Sequence, residues 1–213
     1  MKILEVQETP LAGVKIISFA RFGDGRGYFS GLYRASDLAA LEGRPDLQKL
    51  RFVEASESRS RAGVVRGLHL QWNPCMGKLI RPLAGRVIDM LLDLRKGSPT
   101  LGRIILLEMK ADFSADSDQW IWAPPGLAHG NFYPEAGAIE YFCTGEHNPA
   151  CEASIAPLAP DLDWSLADPA LAAEFKALVA AGPILSDKDR QGLSLAAWLA
   201  DARSDNFLHS SGD

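Results

Sequence analysis

From Val14 to about Ser154 the chain alternates short apolar runs with clusters of Gly, Pro, Asn and Asp. The runs are VKIISF (14–19), YFSGLY (28–33), GVVRGLHL (63–70), KLIRPL (78–83), RVIDMLLDL (86–94), RIILLEM (103–109), QWIWA (119–123) and AIEYFCT (138–144). Their β-branched and aromatic content is that of strands. GDGRG, WNPCMG, KGSPTLG, PPG and PEAG fall between them as turns. Many short strands with no amphipathic helices between them predict an all-β sandwich or barrel. In RVIDMLLD the alternation puts Val87, Asp89, Leu91 and Asp93 on one face. Two carboxylates there belong either to a solvated outer surface or to the polar wall of a cavity.

The C-terminal third follows a different pattern. DPALAAEFKALVAAG has an Asp-Pro start and a Gly stop, which predicts a helix over about 168–181. LSLAAWLADA (193–202) predicts a second short helix, and the polar SDNFLHSSGD is expected to fray. The expected division is a β domain over 1–192, with a helical segment inside it, followed by a short helix and flexible tail over 193–213.

Composition narrows the class. A chain of 213 residues fits one domain and can bury about 70% of its unfolded surface without a staple. Lys plus Arg is 22 and Asp plus Glu is 27, a net of −5, which argues against a nucleic-acid partner. Cys75, Cys143 and Cys151 are odd in number and lack C-x-x-C spacing, so they read as reduced thiols. The most apolar stretch, Val87 to Leu94, is interrupted by Asp89 and Asp93 and falls far short of the roughly 20 residues of a membrane span. The N-terminal MKILEVQETP holds too short an apolar run for a signal peptide. A cytoplasmic protein with no membrane partner is expected.

Several familiar motifs fail. GDGRG lacks G-x-G-x-x-G and runs into a strand, Gly77-Lys78 is followed by Leu79, and neither G-x-S-x-G nor H-E-x-x-H occurs. The residues beside His69 are Leu68 and Leu70, so there is no H-x-H pair and no metal is expected. What remains is a set of titratable residues in strand-like text: Arg66, His69 and Gln71 in VVRGLHLQ, Lys78, His129 in APPGLAHG, Tyr141 in AIEYFCT and Asp189 in ILSDKD. Each also has a structural use, as a hydrogen-bonded strand residue, a packed ring or a turn cap. Composition and spacing alone stop at a soluble β-barrel with a polar cavity.

DGRGYF, GVVRGLHLQ, GKLIRPLAGRVIDMLLDLRKGSPTLG, APPGLAHG, IEYFCT and PILSDKD occur in this order. Together they resemble the dTDP-4-dehydrorhamnose 3,5-epimerase family over about Ile3 to Gly192. The resemblance implies a cupin-like jelly-roll barrel that is free of metal and cofactor. It also implies a homodimer with exchanged N-terminal strands, and a nucleotide diphosphate-sugar as substrate. Inverting a carbon next to a ketone needs a base, stabilisation of the enolate, and an acid on the opposite ring face. By resemblance His69 is the base, Asp189 its carboxylate partner, Tyr141 the acid, and Lys78 the cation beside the enolate oxygen. Arg26, Arg66 and His129 match substrate-binding positions, the arginines suiting a diphosphate. Gln71 and His147 join this binding set, Glu152 and Lys188 match weaker binding positions, and Asp89 is the expected partner of His129. Arg66 and His69 differ by three, so a regular strand would point them apart; Gly67 could supply a bulge that turns both inward.

The resemblance also has gaps. The family's thymidine contacts fall here on Gly31, Glu54, Ser56 and His147, while Arg26, Arg66, Lys78 and His129 are kept. A nucleotide other than dTDP is therefore expected. Two rival readings are a sugar-nucleotide binding protein without catalysis and a 3,4-ketoisomerase on the same barrel.

Overall fold

A computed structural model describes residues 1–209. Two antiparallel sheets face each other. One runs in the order β1 (Ile3–Glu8), β2 (Lys15–Ala20), β10 (Ser117–Ala123), β7 (Lys78–Ala84), β12 (Gly137–Cys143) and β5 (Glu54–Ser60). The other runs β13 (Glu152–Ser154), β6 (Val65–Gln71), β11 (Leu127–Phe132), β8 (Arg86–Asp93) and β9 (Ile104–Lys110). A separate ribbon pairs β3 (Phe22–Asp24) with β4 (Gly27–Phe29), and GDGRG makes its turn. The architecture is the all-β jelly roll with short helices that the resemblance implies.

Period-two alternation sorts the side chains into three apolar layers. Ile80, Val87, Leu91, Ile121 and Ile139 meet between the sheets. Behind the five-stranded sheet, Val65, Leu68, Leu70, Ile88, Met90 and Leu92 pack under Phe175 of α3 (Pro169–Ala180) and under Leu195 and Trp198 of α5 (Leu195–Ala200). Behind the six-stranded sheet, Ile17, Phe19, Leu79, Trp120 and Trp122 pack with Leu47 of α2 (Pro45–Gln48). β8 is covered on both faces, which explains its nearly unbroken apolar text. Its Asp89 and Asp93 lie on the inner face and are 0% exposed, so neither belongs to a solvated outer surface: Asp89 meets His129, which lines the pocket, while Asp93 is sealed off by Arg95.

α3 starts where the sequence marks it: the Asp168 side chain accepts from the N–H groups of Ala170 and Leu171, and Pro169 follows. The segment beyond 193 departs from the expected flexible tail. Phe207 is 1% exposed and packs edge-on to Trp198 at 5.5 Å, while Lys96 and Leu208 form a bridge. Trp198 and Phe207 are both buried in the layer behind the five-stranded sheet, so this segment packs on the barrel as far as Phe207. Ser210–Asp213 of the expected tail lie outside the described residues. The run YFSGLY also departs, since its strand ends at Phe29: the Ser30 hydroxyl turns to donate to the Ala20 carbonyl at 2.9 Å.

The glycine of RGLH shapes β6. His129 pairs with His69 and Asn131 with Arg66, so three steps on β6 oppose two on β11: a bulge. Gly67 takes a φ of +100, and a Cβ there would sit 2.5 Å from the Gly130 Cα. The extra residue leaves Leu68 pointing outward with Val65, and Arg66 and His69 inward together. Gly67→Ala is expected to lower stability by about 1–3 kcal/mol through overpacking, read as a lower urea midpoint. An unchanged midpoint would show that β6 and β11 have room to spare.

Candidate active site

The pocket opens between the sheets and is lined by His69, Gln71, Met76, Lys78, Leu127, His129, His147 and Glu152. His69 projects from β6, and its Nε2 lies 2.7 Å from the Asp189 Oδ1. Asp189 belongs to α4 (Asp187–Arg190) and is 3% exposed. Its Oδ2 accepts from the Ser186 hydroxyl at 2.8 Å, and Ser186 in turn caps that helix by accepting from the Asp189 N–H. Burial pushes the Asp189 carboxyl up, but His69, Ser186 and the Gly67 N–H outweigh it and hold the group below the usual carboxylate range. An ionised Asp189 fixes the neutral ring as the Nε2–H tautomer, which leaves the Nδ1 lone pair as the basic atom.

A second imidazole–carboxylate pair stands one strand over. His129 on β11 places Nε2 2.7 Å from the Asp89 Oδ1 on β8, with the two side chains 8% and 0% exposed. Tyr141 faces them from β12 in the opposite sheet, its ring centroid 6.2 Å from that of His129. The Lys78 ammonium on β7 lies 5.3 Å from the Tyr141 ring centroid. No carboxylate reaches Lys78 within ion-pair distance among the described residues, so its charge stays directed at the pocket. Burial pulls the Lys78 ammonium below its ordinary range; Cys143 and the carboxylates of Asp89, Glu152 and Glu54 recover only part of this. Burial pushes the Tyr141 phenol up, so at neutral pH it keeps its proton.

Arg66 reaches from β6 towards the edge of the facing sheet, where its Nε donates to the Ser60 hydroxyl at 2.8 Å. At the mouth, the His147 Nε2 lies 3.2 Å from the Glu152 Oε2, and the Lys188 ammonium donates to the Glu152 Oε1 at 2.5 Å. Two residues stand differently from expectation. The Gln71 amide is engaged with backbone, donating to the Pro74 and Glu146 carbonyls and accepting from the Asn148 N–H. Arg26 sits on the β3–β4 ribbon with its side chain 90% exposed, chelating Asp24 outside the pocket lining. The fold thus gathers the expected site residues except Arg26, on the ribbon, and Arg66, which reaches the rim at Ser60 outside the pocket lining. Ser60 and Ser186 support the site but were not among the expected residues; Glu54, marked in the sequence only as a departure from the family's thymidine contacts, supports it too. Only Ser186 had a local signal: Ser three positions before an acid, at the start of a short helix. Among the described residues no group of three His, Cys, Asp or Glu side chains is arranged to hold a metal ion.

Residues 8–197 match the family model of dTDP-4-dehydrorhamnose 3,5-epimerase. The chain belongs to this family. A relative of that description from Pseudomonas aeruginosa is 36% identical over 82% of this chain and 87% of its own length. One from Neisseria gonorrhoeae is 34% identical over 91% of this chain, which spans about half (53%) of that longer protein. Among solved structures, the chain is similar to a dTDP-6-deoxy-D-glucose-3,5-epimerase from Legionella pneumophila in complex with dTDP-4-keto-L-rhamnose. The TM-score is 0.75 and the identity 31%, over 97% of this chain and 98% of that one. A 4-keto-6-deoxy sugar epimerase from the novobiocin gene cluster of Streptomyces spheroides superposes with a TM-score of 0.72 at 28% identity, over 99% and 94%. The curated relatives are isomerases of the epimerase class.

The electrostatics of this epimerase-family site carry a pH signature. Burial lowers the pKa of His129 more than Asp89 raises it, so the folded value lies below that of the unfolded chain. As pH falls through about 6.5, the unfolded state takes up a proton that the folded state refuses, and stability declines. The slope for one such proton is at most about 1.4 kcal/mol per pH unit. His129→Gln, which keeps a donor towards Asp89, is expected to lose less stability than wild type between pH 7.5 and 5.5 in urea titrations. Equal losses would assign the acid sensitivity to other groups.

Proposed function

We propose that the protein epimerises an NDP-4-keto-6-deoxyhexose at C3, C5 or both, by proton removal on one ring face and proton return on the other. One observation carries this reading: the base candidate and the acid candidate stand on opposing sheets, His69 on β6 and Tyr141 on β12, with Lys78 beside the phenol. The His69 Nδ1 takes the α-proton, and the C–H electron pair passes through the new C=C bond to the C4 oxygen. The Lys78 ammonium stabilises that enolate in a site where water screens little. Asp189 holds the imidazolium that forms. Tyr141 then gives its proton to the carbon from the opposite face, and the enolate collapses to the inverted ketone. His69 loses its proton to solvent and the phenolate regains one, so the inventory closes within these side chains and water. A pure binding protein has no use for a base and an acid on opposite walls.

Arg66 and His129 hold the diphosphate and sugar in this reading. Arg26 would serve a second copy of the chain: the ribbon that carries it also exposes Phe22 and Phe29, 53% and 73%, which a homodimer with exchanged N-terminal strands would cover. The preferred nucleotide is proposed to be other than dTDP. Glu54, Ser56 and His147 stand where the family resemblance puts thymine contacts. Here they bind each other: Ser56 donates to one Glu54 oxygen at 3.2 Å and the His147 N–H to the other at 2.8 Å. Groups already paired cannot serve thymine without losing roughly 0.5–1.5 kcal/mol per bond.

Two measurements test the reading. In D₂O with 4-keto sugar nucleotides, Tyr141→Phe is expected to wash deuterium into the α-carbon while forming little inverted product. His69→Asn is expected to lose both, by 10²–10⁴ or more on the ordinary scale of a general base. Exchange and inversion vanishing together in Tyr141→Phe would overturn the two-sided assignment. Calorimetric titration with dTDP, UDP, CDP and GDP is expected to show dTDP binding weaker than another nucleotide, and a clear dTDP preference would return the site to thymine.

A further inference from the structure

The segment Glu146–Asn148 forms one wall of the pocket mouth, and side chains from both sheets tether its backbone. From β5, the Glu54 Oε2 accepts the His147 N–H at 2.8 Å. From β6, the Gln71 Oε1 accepts the Asn148 N–H at 2.7 Å, and the Gln71 amide donates to the Glu146 carbonyl at 3.0 Å. β5 and β6 sit in different sheets, so the segment spans the opening between them. Of these tethers only that of Glu54 is charged at the acceptor, and a charge-assisted bond to an N–H is about twice as strong as a neutral one. Ser56 steadies the other carboxylate oxygen, at 3.2 Å. The His147 ring then meets Glu152, which meets Lys188. One line of contacts thus runs from the edge strand of one sheet, across the mouth, to the helix that carries Asp189.

The reacting sugar must lie deep, between His69 and Tyr141, so the remainder of the substrate extends towards the mouth. We propose that Glu54 is a positioning residue for substrate binding, holding the His147 segment in place against the part of the substrate remote from the reacting carbon. This rests on the epimerase reading above. Glu54 touches no reacting atom; it acts by sparing the substrate the cost of ordering the wall. Interactions made equally in the ground and transition states move KM and leave kcat unchanged.

The test uses the full chain with dTDP-, UDP-, GDP- and CDP-4-keto-6-deoxyglucose, each variant being assayed on the nucleotide that wild type prefers. Glu54→Ala is expected to raise KM roughly ten-fold, the scale of one charge-assisted hydrogen bond, with kcat within about two-fold. Glu54→Gln retains an oxygen that accepts the His147 N–H in a neutral bond about half as strong, and is expected to raise KM only about three-fold. Glu54→Asp keeps the charge but withdraws it by one methylene, and is expected to resemble Ala. His147→Ala is expected to raise KM too, and the Glu54→Ala/His147→Ala double variant to fall short of the product of the single effects. In the absence of substrate, hydrogen exchange over 146–148 is expected to speed up in Glu54→Ala and to stay slow in Glu54→Gln. Should Glu54→Ala fail to fold, Asp and Gln carry the comparison. Unchanged KM in Ala and Asp, or Asp matching wild type while Gln fails, overturns the proposal by showing no role or a role of charge alone. Wild type that turns over none of the four sugars overturns the epimerase reading and this proposal with it.

Discussion

The site depends on one close approach of two backbones. Gly67 and Gly130 lie against each other across β6 and β11, and a methyl group on either would meet main-chain atoms within 2.5 Å. That contact accommodates the bulge, and the bulge reverses the pleat for one step. Without it, Arg66 and His69 would stand on opposite faces, one in the pocket and one among Leu68, Leu70 and the C-terminal helices. The same contact puts His129 directly opposite His69 and thereby sets the two imidazole–carboxylate pairs side by side.

Placing charge between two sheets has to be reconciled with desolvation. Each inward carboxylate of β8 meets the problem differently. Asp93 is closed off completely: Arg95, also 0% exposed, donates to it from three nitrogens, and Ser98 and Thr100 add hydroxyls. Burial alone would raise its pKa, yet these bonds hold it below the usual range, so the pair pins the turn after β8 and asks nothing of the substrate. Asp89 has one oxygen on His129 and, among the described residues, no hydrogen-bond partner for the other. Lys78, close by and free of any ion pair among the described residues, is the converse. An unbalanced charge of each sign near one pocket is costly for folding and useful for a reaction that develops an oxyanion.

The walls of the pocket come from elements that meet nowhere in sequence. β5 is the edge of its sheet, and its inner face is Glu54, Ser56, Ser58 and Ser60, a row of small polar groups. Ser60 anchors Arg66 and Glu54 anchors the His147 segment, so this strand sets the mouth without contributing an obvious chemical group. The short helix with Asp189 closes the opposite side, held by its own serine cap.

Much of this was legible in the sequence. Eight apolar runs marked strands, Asp168, Pro169 and Gly182 bracketed α3, and the ordered words from DGRGYF to PILSDKD named the family. His69, Asp189, Lys78 and Tyr141 were marked as a chemical set before any geometry. The sequence alone did not show β5, because EASESRS carries no apolar alternation: its inner face borders a polar cavity, so the usual signal of burial is absent. Nor did it show that Phe207, in a polar stretch that reads as a loose tail, is buried under Trp198. That Asp89 and Asp93 face the interior and not water is decided by the helices that cover the other face of β8. Local pattern determines which residues share a face; which face is inside, and what it meets there, is decided by contacts between residues far apart in the chain.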